Sequence, residues 1–472
     1  MDLHQASARN QSTHAGWDSI AIEEIIVAID PTLSASCNTE LFPPPLWRLG
    51  DPQLTKTQLD ISSLARLPEP NAKRIAMRVT PEAERALRQG HPWLFEQAIT
   101  NQSHAGQAGD LAIIFDRKKR FLAIGLYDPH SSIRVRILHH GNPTAINQDW
   151  FSMQLATALR LRDPLLHLPP ERKTSGYRLV HGENDGLPGL VIDRYAGTLV
   201  LKLYSPAWLP HLKAILSALA DLWPHERLAL RLGRALQDAQ GQLHGLTDGM
   251  ILYGPELAEP VLFRENGLQF EADPLHGQKT GFFLDQRENR RRVEALAGGK
   301  HVLNLFSYTG GFSVYAARGG ARSIISVDTS QPALDAARRN MAYNSLDQIS
   351  HETRARDVFE ILKEMAQAKR RFNLVIVDPP AFAQNKIQVR RAIMAYKRLT
   401  RLSLTVLAAG GTLVQASCSS HVDADTFFNM VHSTAARAGR PLREIERTGH
   451  ALDHPIAFKE GAYLKCLFAV AP

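Results

Sequence analysis

Four groups of polar or reactive residues each follow a short apolar segment in the C-terminal part of the chain. They are the glycine-containing stretch 304–312, Asp328, Asp378-Pro379-Pro380 and the cysteine in Ser417-Cys418-Ser419. In an open α/β sheet, ligands bind in the crevice at the carboxyl ends of the parallel strands, so we expect these groups to lie together. A glycine turn, an acid, a rigid carboxylate and a thiol predict a nucleotide-containing cofactor beside a covalent nucleophile, and therefore an enzyme.

The glycine turn and the acid that follows it favour a nucleotide ligand. Residues 302–306 have the pattern of a buried strand, and Gly310 and Gly311 allow the backbone to turn tightly against a ligand and begin a helix. Asp328 lies one β-α unit later, close to the ~20-residue spacing at which an acidic side chain meets a ribose hydroxyl. The turn does not have the pattern G-x-G-x-x-G, which disfavours NAD. A purely structural turn is the alternative interpretation.

Asp378 and Cys418 are the candidates for chemistry on a substrate. Two prolines hold Asp378 on a stiff turn, because proline fixes φ and biases the residue before it towards an extended shape. There Asp378 could contact a flat base or the amino group of a cofactor, with a simple loop cap as the alternative. Cys418 ends a predicted strand just before a predicted helix, and a helix N-terminus favours the thiolate form. A buried structural cysteine is the alternative, and it is the role that we predict for Cys466.

Two further features carry less information. The stretch 279–287 joins an apolar segment to charged residues and indicates no particular reaction. Arg290 to Arg292 follow it and begin a predicted basic helix. These arginines could contact phosphates, although a solvated helix face is the more usual role of such a run.

The composition of the whole chain is that of a globular protein with a basic surface. Of its 472 residues, 44% are hydrophobic and 22% are charged, and the formal net charge is +8. This charge favours a polyanionic partner such as nucleic acid, with a merely solubilising charge as the alternative. Three cysteines without paired spacing disfavour a disulfide framework and a cysteine-based zinc site, so we expect a reducing, cytoplasmic setting. No apolar run approaches the ~20 residues that span a bilayer.

Patterning along the chain predicts an extension followed by three domains. Residues 1–72 are rich in Ser, Thr, Gln, Asn and Pro and lack periodicity, which predicts a poorly ordered segment. Short β-like runs over 73–145 predict a small barrel or sandwich. Mixed signals over 150–270 predict a small α+β domain. Alternating strand and helix signals over 271–472 predict a doubly wound parallel α/β sheet.

Individual strands can also be assigned. In the catalytic part we predict strands near 301–306, 323–328, 372–377 and 411–416. In the first domain the segment 133–137 alternates strictly between apolar and basic residues. Such alternation predicts a half-buried strand whose outward face carries Arg134 and Arg136.

Several stretches resemble the motifs of one known family. They are 91–95, 182–189, 277–287, 306–312, 378–382 and 460–465. The first is similar to part of an RNA-binding PUA domain, the second to the signature of a small middle domain, and the others to a catalytic domain. Together they resemble the class I S-adenosylmethionine-dependent methyltransferases and, more closely, the RlmI type of 23S ribosomal RNA cytosine-5 methyltransferases. This resemblance implies a Rossmann-like methyltransferase domain preceded by a PUA-like β-barrel and a small α+β domain.

The resemblance also implies which residues contact S-adenosylmethionine. The turn 304–311 would hold the methionine part, and Asp328 would bind the ribose hydroxyls. Asp357 and Val358 would flank the adenine. The residues implied in cofactor binding are Asn304, Phe306, Tyr308, Thr309, Gly310, Asp328, Asp357, Val358, Asp378 and Gln286. Asn304 stands where many class I methyltransferases carry an acid.

The implied substrate is RNA, with 23S ribosomal RNA as the leading candidate. Cys418 would be the nucleophile: attack of its thiolate on carbon 6 of cytosine would allow carbon 5 to accept the methyl group, and a base would then remove the carbon-5 proton. Asp378 would face the cofactor's amino group or the target base. Neither a metal nor a membrane is implied, and a homodimer stays open. Two alternatives remain: methylation of another RNA base, and a non-catalytic RNA-binding or ribosome-assembly factor that binds S-adenosylmethionine.

Overall fold

The computed structural model describes residues 64–238, 243–383 and 385–472. Most of the predicted N-terminal extension, residues 1–63, therefore lies outside the described residues. Leu64 and Leu67, which the prediction assigned to that extension, are buried in the core, so the packed part of the chain begins before residue 73. Within the described ranges, no helix is both long and apolar enough to cross a membrane.

The first unit is a six-stranded sheet with a helix after its first strand. The strands are β1 (Ile75–Val79), β2 (Trp93–Phe95), β3 (Ile99–Gln102), β4 (Leu111–Phe115), β5 (Phe121–Tyr127) and β6 (Ile133–His140). Their order is β2-β6-β5-β4-β1-β3, with β1 and β4 parallel. Helix α1 (Pro81–Arg88) begins at Pro81 because the Thr80 side chain caps it by accepting a hydrogen bond from the Ala83 N–H.

The prediction that β6 turns Arg134 and Arg136 outward is wrong. The Arg134 side chain is 12% exposed and forms an ion pair with Glu96. Arg136 is 6% exposed and lies 3.5 Å from a carboxylate oxygen of Asp128. The backbone of Gly189 in the following unit comes so close that a Cβ there would lie 3.1 Å from Arg136 Nε. The alternation does separate two faces of the strand, but the second unit covers the face that we expected to be solvated.

The second unit packs a five-stranded sheet against helices. Its strands are β7 (Gly176–His181), β8 (Leu190–Tyr195), β9 (Thr198–Leu203), β10 (Arg227–Leu232) and β11 (Ile251–Tyr253), in the order β11-β10-β9-β8-β7. Its helices are α2 (Gln148–Arg160), α3 (Asp163–Leu166), α4 (Leu212–Leu222) and α5 (Arg234–Gln237). Helix α2 buries Trp150, Phe151 and Leu155, which lie on one face at helical spacing. A hairpin of β12 (Val261–Glu265) and β13 (Leu268–Ala272) leads to the third unit.

The third unit is a seven-stranded sheet with helices between its strands. The strands are β14 (His301–Leu305), β15 (Ser323–Asp328), β16 (Ser350–Ala355), β17 (Phe372–Val377), β18 (Leu407–Ser417), β19 (Arg443–Thr448) and β20 (Lys465–Ala471). The helices are α6 (Arg287–Leu296), α7 (Gly311–Arg318), α8 (Gln331–Ala342), α9 (Val358–Gln367), α10 (Val389–Val406) and α11 (Ala424–Arg437). The predicted strands 323–328 and 372–377 have the observed bounds. The predicted doubly wound sheet is confirmed, but it is not wholly parallel, because β20 runs antiparallel to its neighbours.

The order of these strands explains where a ligand can bind. It is β16-β15-β14-β17-β18-β20-β19, with β20 antiparallel to both neighbours. Because β14 pairs in parallel with β15 on one side and with β17 on the other, the strand order reverses beside β14. Such a reversal leaves a crevice at the carboxyl ends of the strands. The groups that follow β14, β15, β17 and β18 therefore reach the same edge of the sheet.

Candidate active site

A cavity lies at this edge of the sheet. Its wall includes Tyr308, Asp328, Asp378 and Cys418, one residue from each of the four groups that the sequence singled out. The loop 278–286, between β13 and α6, lines a further part of the wall. The sheet thus brings together side chains that are far apart in the sequence.

The turn after β14 has a left-handed backbone at every second residue. Phe306, Tyr308 and Gly310 have φ angles of 58°, 47° and 76°, which are unfavourable for residues with a side chain. Gly310 lies directly before α7, and a Cβ there would be 2.7 Å from the Cβ of Ala337 in α8. A glycine is therefore needed at this point. Strain of the kind seen at Phe306 and Tyr308 is typical of loops that hold a ligand.

Asp328 binds this turn with one carboxylate oxygen and the start of its own following loop with the other. Oδ2 accepts a hydrogen bond from the Tyr308 N–H at 2.8 Å, and Oδ1 accepts one from the Ser330 N–H at 3.0 Å. Each oxygen keeps a second lone pair. The carboxylate can therefore also accept hydrogen bonds from two adjacent hydroxyl groups, as a ribose would offer.

The carboxylate of Asp378 accepts fewer hydrogen bonds than that of Asp328, so its negative charge is less well stabilised. Gln286 Nε2 donates to its Oδ1 at 2.9 Å. Burial and the negative charge of Asp285 raise the pKa of Asp378 to about 7. A carboxyl group with such a pKa can gain or lose a proton near neutral pH, which suits a catalytic acid or base.

Cys418 lies beside Asp378, just after β18. Its Sγ is 3.8 Å from the carbonyl oxygen of Pro379. Burial, and after it the negative charge of Asp378, raise the pKa of the thiol to about 11. The expectation that a helix N-terminus favours the thiolate is therefore wrong, because α11 begins only at Ala424 and its cap is Asp423. Cys466 is fully buried within β20, as predicted for a structural cysteine.

The sequence assigned no role to Lys279, Asp285 and Tyr463, which form a hydrogen-bonded group behind Asp378. Lys279 Nζ is 2.7 Å from Asp285 Oδ2, and the Tyr463 hydroxyl donates to the same oxygen at 2.9 Å. Burial by itself would raise the pKa of Asp285, but the Lys279 ammonium keeps that pKa below its ordinary value. The charged Asp285 in turn disfavours the charged form of Asp378. Only the family motifs 277–287 and 460–465, which contain these three residues, could have pointed to them in the sequence.

The second unit fixes the loop that carries these residues. Thr280 Oγ1 donates to Asp193 Oδ2 at 2.6 Å, and Arg178 binds the two oxygens of Asp193 at 2.7 and 2.9 Å. The Tyr195 hydroxyl accepts a hydrogen bond from the Phe282 N–H at 3.2 Å. Strands β7 and β8 therefore hold one side of the cavity in place.

Four residues predicted to bind the cofactor do not line the cavity: Asn304, Gly310, Asp357 and Val358. Asn304 is fully buried, and its Nδ2 donates to Ser313 Oγ at 2.9 Å. Asp357 caps α9 by accepting from two backbone N–H groups, and Val358 is buried in the core. Their roles towards a cofactor stay predictions.

Arg290, the first residue of the basic run 290–292, neither is solvated nor is free to bind a phosphate. Arg290 is 2% exposed, and it binds the two carboxylate oxygens of Glu265 at 2.8 and 2.6 Å. Its guanidinium group also lies 4.7 Å from the centre of the Phe282 ring. Arg290 therefore joins the hairpin β12–β13 to α6 in the framework of the cavity.

The amino-acid sequence matches the models of two known families. A sequence model of the family described as S-adenosylmethionine-dependent methyltransferase matches residues 177–468. The chain belongs to this family. A model of a PUA-like domain matches residues 77–140, which form the first sheet. Both results confirm the resemblance seen in the motifs.

Named relatives match most of this methyltransferase. A Ribosomal RNA large subunit methyltransferase from Deinococcus radiodurans is 48% identical over 402 residues, which cover 85% of this chain and 98% of that protein. Ribosomal RNA large subunit methyltransferase I from Pseudoalteromonas translucida is 38% identical over 392 residues, which cover 81% of this chain and 96% of that protein. This methyltransferase belongs to the same family as these proteins.

Solved structures show the same fold. A SAM-dependent methyltransferase from Streptococcus mutans superposes with a TM-score of 0.72 at 22% identity, covering 84% of this chain and 99% of that one. A methyltransferase in complex with SAH superposes with a TM-score of 0.73 at 23% identity and the same coverage.

The cavity of this methyltransferase fits its cofactor, S-adenosylmethionine. Ser307 Oγ and Thr309 Oγ1 are buried on the cavity wall and lack a hydrogen-bond partner among the described residues. The N-terminus of α7, whose helix dipole favours negative charge, borders the cavity through Gly311 and Phe312. These groups would hold the methionine end, and Asp328 would hold the ribose. Across the described ranges, no cluster of three or more His, Cys, Asp or Glu side chains could bind a metal ion.

Proposed function

We propose that this methyltransferase acts on large-subunit ribosomal RNA and methylates carbon 5 of a cytosine through a covalent adduct with Cys418. The observation that carries the proposal is that Cys418 and Asp378 share one cavity with the 306–311 turn and Asp328. The names of the two relatives support ribosomal RNA as the substrate, and the net charge of +8 suits a polyanion. Methylation of a nitrogen atom would need no thiol at this place.

The proposed chemistry uses the thiol to activate the ring. Carbon 5 of cytosine is a weak nucleophile, and a bond from the Cys418 sulfur to carbon 6 makes the electrons of the 5,6 double bond available at carbon 5. Bound S-adenosylmethionine supplies an electrophilic methyl group. A base then removes the carbon-5 proton, and the electrons of that C–H bond restore the double bond and expel the thiolate.

Asp378 would act twice in this sequence. With a pKa of about 7, it can take the proton of the Cys418 thiol and then donate that proton to ring nitrogen 3, which prevents a build-up of negative charge on the ring. When the thiolate leaves, nitrogen 3 returns that proton to Asp378, so that the methylated base is neutral. Protonation of Asp378 also removes the charge that helps to hold the pKa of the thiol high. Gln286 occupies Oδ1 of Asp378 and leaves the other oxygen to the base.

The cavity also has surfaces that suit a flat base. Phe283, Pro379 and Pro380 line it with apolar atoms. A base within an RNA stack cannot reach such a cavity, so the target nucleotide would have to be turned out or lie in a single-stranded segment. The PUA-like first sheet would hold a neighbouring part of the RNA.

The experiment that tests this function is methyl transfer from labelled S-adenosylmethionine to large-subunit ribosomal RNA that lacks the modification, followed by digestion to nucleosides. We expect the label in 5-methylcytidine. Cys418→Ala should lower the rate at least about 10⁴-fold while S-adenosylmethionine still binds. Cys466→Ala, which removes the buried cysteine of β20, is the matched control and should keep the rate.

A trapping experiment tests the adduct directly. In RNA that contains 5-fluorocytidine, the fluorine at carbon 5 cannot leave as a proton does, so the bond between Cys418 and carbon 6 should survive denaturing electrophoresis. Cys418→Ala should form no such complex. Label in another nucleoside, or full activity of Cys418→Ala, would contradict the cysteine mechanism, whereas tight cofactor binding without any transfer would favour a non-catalytic RNA-binding factor.

A further inference from the structure

The segment between Asp378 and Asp423 has an unusual charge pattern. It contains no aspartate or glutamate, and its basic residues are Lys386, Arg390, Arg391, Lys397, Arg398 and Arg401. The segment begins at one proposed catalytic residue, passes through α10 and contains Cys418 near its end. The basic residues of this segment therefore lie, in sequence, between the two proposed catalytic residues.

Three of these cations lie on one face of α10. At 3.6 residues per turn, positions 391, 398 and 401 share a face, and their side chains are exposed. The other face is buried through Ala392, Tyr396 and Leu399. Within the part of the chain that the structure describes, no carboxylate oxygen lies within 4.0 Å of the side-chain nitrogens of Arg390, Arg391, Lys397, Arg398 or Arg401. Cations without local carboxylate partners are available to phosphates.

Aromatic and apolar side chains accompany the charges. A shallow groove between α9 and α10 is lined by Phe359, Phe382, Arg391, Met394, Arg398 and Arg401. Arg398 lies 4.5 Å from the centre of the Phe359 ring. Met394 is 63% exposed. A positive groove with aromatic rings is the combination that single-stranded nucleic acid uses, with phosphates on cations and bases on ring faces.

A short stretch of chain links the groove to the active-site cavity. Pro380 lines the cavity and Phe382, two residues later, lines the groove. Tyr396 of α10 binds both neighbours of Cys418: its hydroxyl accepts from Ser417 Oγ at 2.9 Å and lies 3.1 Å from Ser419 Oγ. A ligand on α10 would therefore be held at a fixed distance from the thiol.

We propose that this groove, formed by α9, α10 and the loop after Asp378, docks the RNA strand that adjoins the target nucleotide. The proposal rests on the proposed function, since it names the path of the same RNA. Arg391 and Arg401 are ten positions apart, or about 15 Å along the helix axis. At about 3.4 Å per nucleotide of a stacked strand, that length serves about four phosphates.

Charge reversal of the groove tests the proposal. The test variant is Arg391→Glu/Arg398→Glu/Arg401→Glu. The matched control, Arg322→Glu/Arg437→Glu/Arg443→Glu, makes the same change in net charge with exposed arginines at the opposite edge of the sheet. The dissociation constant for unmodified large-subunit ribosomal RNA is measured at several salt concentrations. S-adenosylmethionine affinity, measured in parallel, reports whether each variant is folded.

We expect the test variant to lose about 100-fold in RNA affinity at low salt. The magnitude of the slope of log affinity against log salt should also fall by about 2, because each of the three lost phosphate contacts contributes about 0.7. The control should lose less than about threefold. Should the reversal variant fail to fold, Arg391→Gln/Arg398→Gln/Arg401→Gln should give the same change in slope with a smaller loss of affinity.

Equal RNA affinity of the test and control variants would overturn the docking groove, even if wild-type protein methylates the RNA. Binding of polyglutamate but not of RNA by the wild type would overturn it in favour of an acidic protein partner. Conversely, a groove-dependent loss of RNA affinity in a protein that transfers no methyl group would support the groove and contradict the proposed function.

Discussion

Asp328 and Asp378 lie at the ends of the two strands that flank β14, and both line the same cavity. Two backbone N–H groups donate to Asp328, so its position and that of the adjoining turn are fixed. Asp378 accepts one side-chain hydrogen bond, and burial and the charge of Asp285 raise its pKa to about 7. We therefore propose that the first carboxylate holds a ligand and that the second exchanges a proton. On this proposal, similar positions in the sheet carry different functions because their surroundings differ.

The largest effect that would separate the two carboxylates is expected for Asp378→Asn. The amide preserves the size of the side chain and can accept from Gln286, but it cannot take the thiol proton. We expect kcat for methyl transfer to fall about 10²–10⁴-fold, with the dissociation constant for S-adenosylmethionine within about threefold of the wild-type value. Single-turnover transfer and calorimetry measure the two quantities. A variant that keeps kcat and loses cofactor affinity would place Asp378 on the cofactor instead.

Asp328→Asn should show the reverse pattern. An asparagine has one acceptor oxygen, so one of the two backbone N–H groups loses its partner and the ribose loses a charged acceptor. We expect cofactor affinity to fall about 10–100-fold, which corresponds to about 1.4–2.8 kcal/mol. At saturating cofactor the rate should stay within about threefold. An unchanged cofactor affinity would show that the ribose is bound elsewhere.

The acid limb of the pH profile should belong to Asp378. Between pH values of about 7 and about 11, Asp378 and Cys418 together hold one proton, which can sit on the carboxylate and leave a thiolate. Below about 7 the pair takes up a second proton, so kcat should fall about tenfold per pH unit. In Asp378→Asn the thiol has lost a repelling charge but also its base, so the rate should keep rising above pH 7. A wild-type profile that is flat from pH 5 to 8 would contradict this coupling.

The positions of Asp328 and Asp378 could be predicted because the information is local. Short β-branched runs define 323–328 and 372–377 as strands, and the rule that ligands bind at the carboxyl ends of parallel strands then assigns the residues that follow them to one edge. The same reasoning placed Cys418 correctly. For these residues, periodicity and topology are sufficient.

The electrostatics of the site could not be predicted, because they depend on contacts between distant parts of the chain. The pKa of Cys418 rises through burial and through Asp378, whereas the sequence suggested only a helix N-terminus. Lys279 and Asp285 lie beside Asp378 because Thr280 is bound to Asp193 of β8. Arg136 and Arg290 were expected to face solvent or phosphate. This expectation failed for the same reason, because their carboxylate partners are not their neighbours in sequence. Patterns identify strands and candidates, but not which charges meet in the core.

The smallest predicted effect concerns stability and has opposite signs at the two positions. The pKa of Asp378 is higher in the folded protein than its ordinary value of 3.8, so the folded state is penalised as pH rises from about 3.8 to about 7, and the full penalty remains above 7. Asp378→Asn removes that penalty. Because the Asp378 side chain is only half-buried, we expect a gain of about 1–2 kcal/mol at pH 8 and a smaller gain at pH 5. Asp328→Asn leaves a backbone N–H without its acceptor and should cost about 1–2 kcal/mol at pH 8. Thermal unfolding of both variants at the two pH values measures the difference, and a loss of stability in both would mean that the charge of Asp378 is compensated in the folded protein.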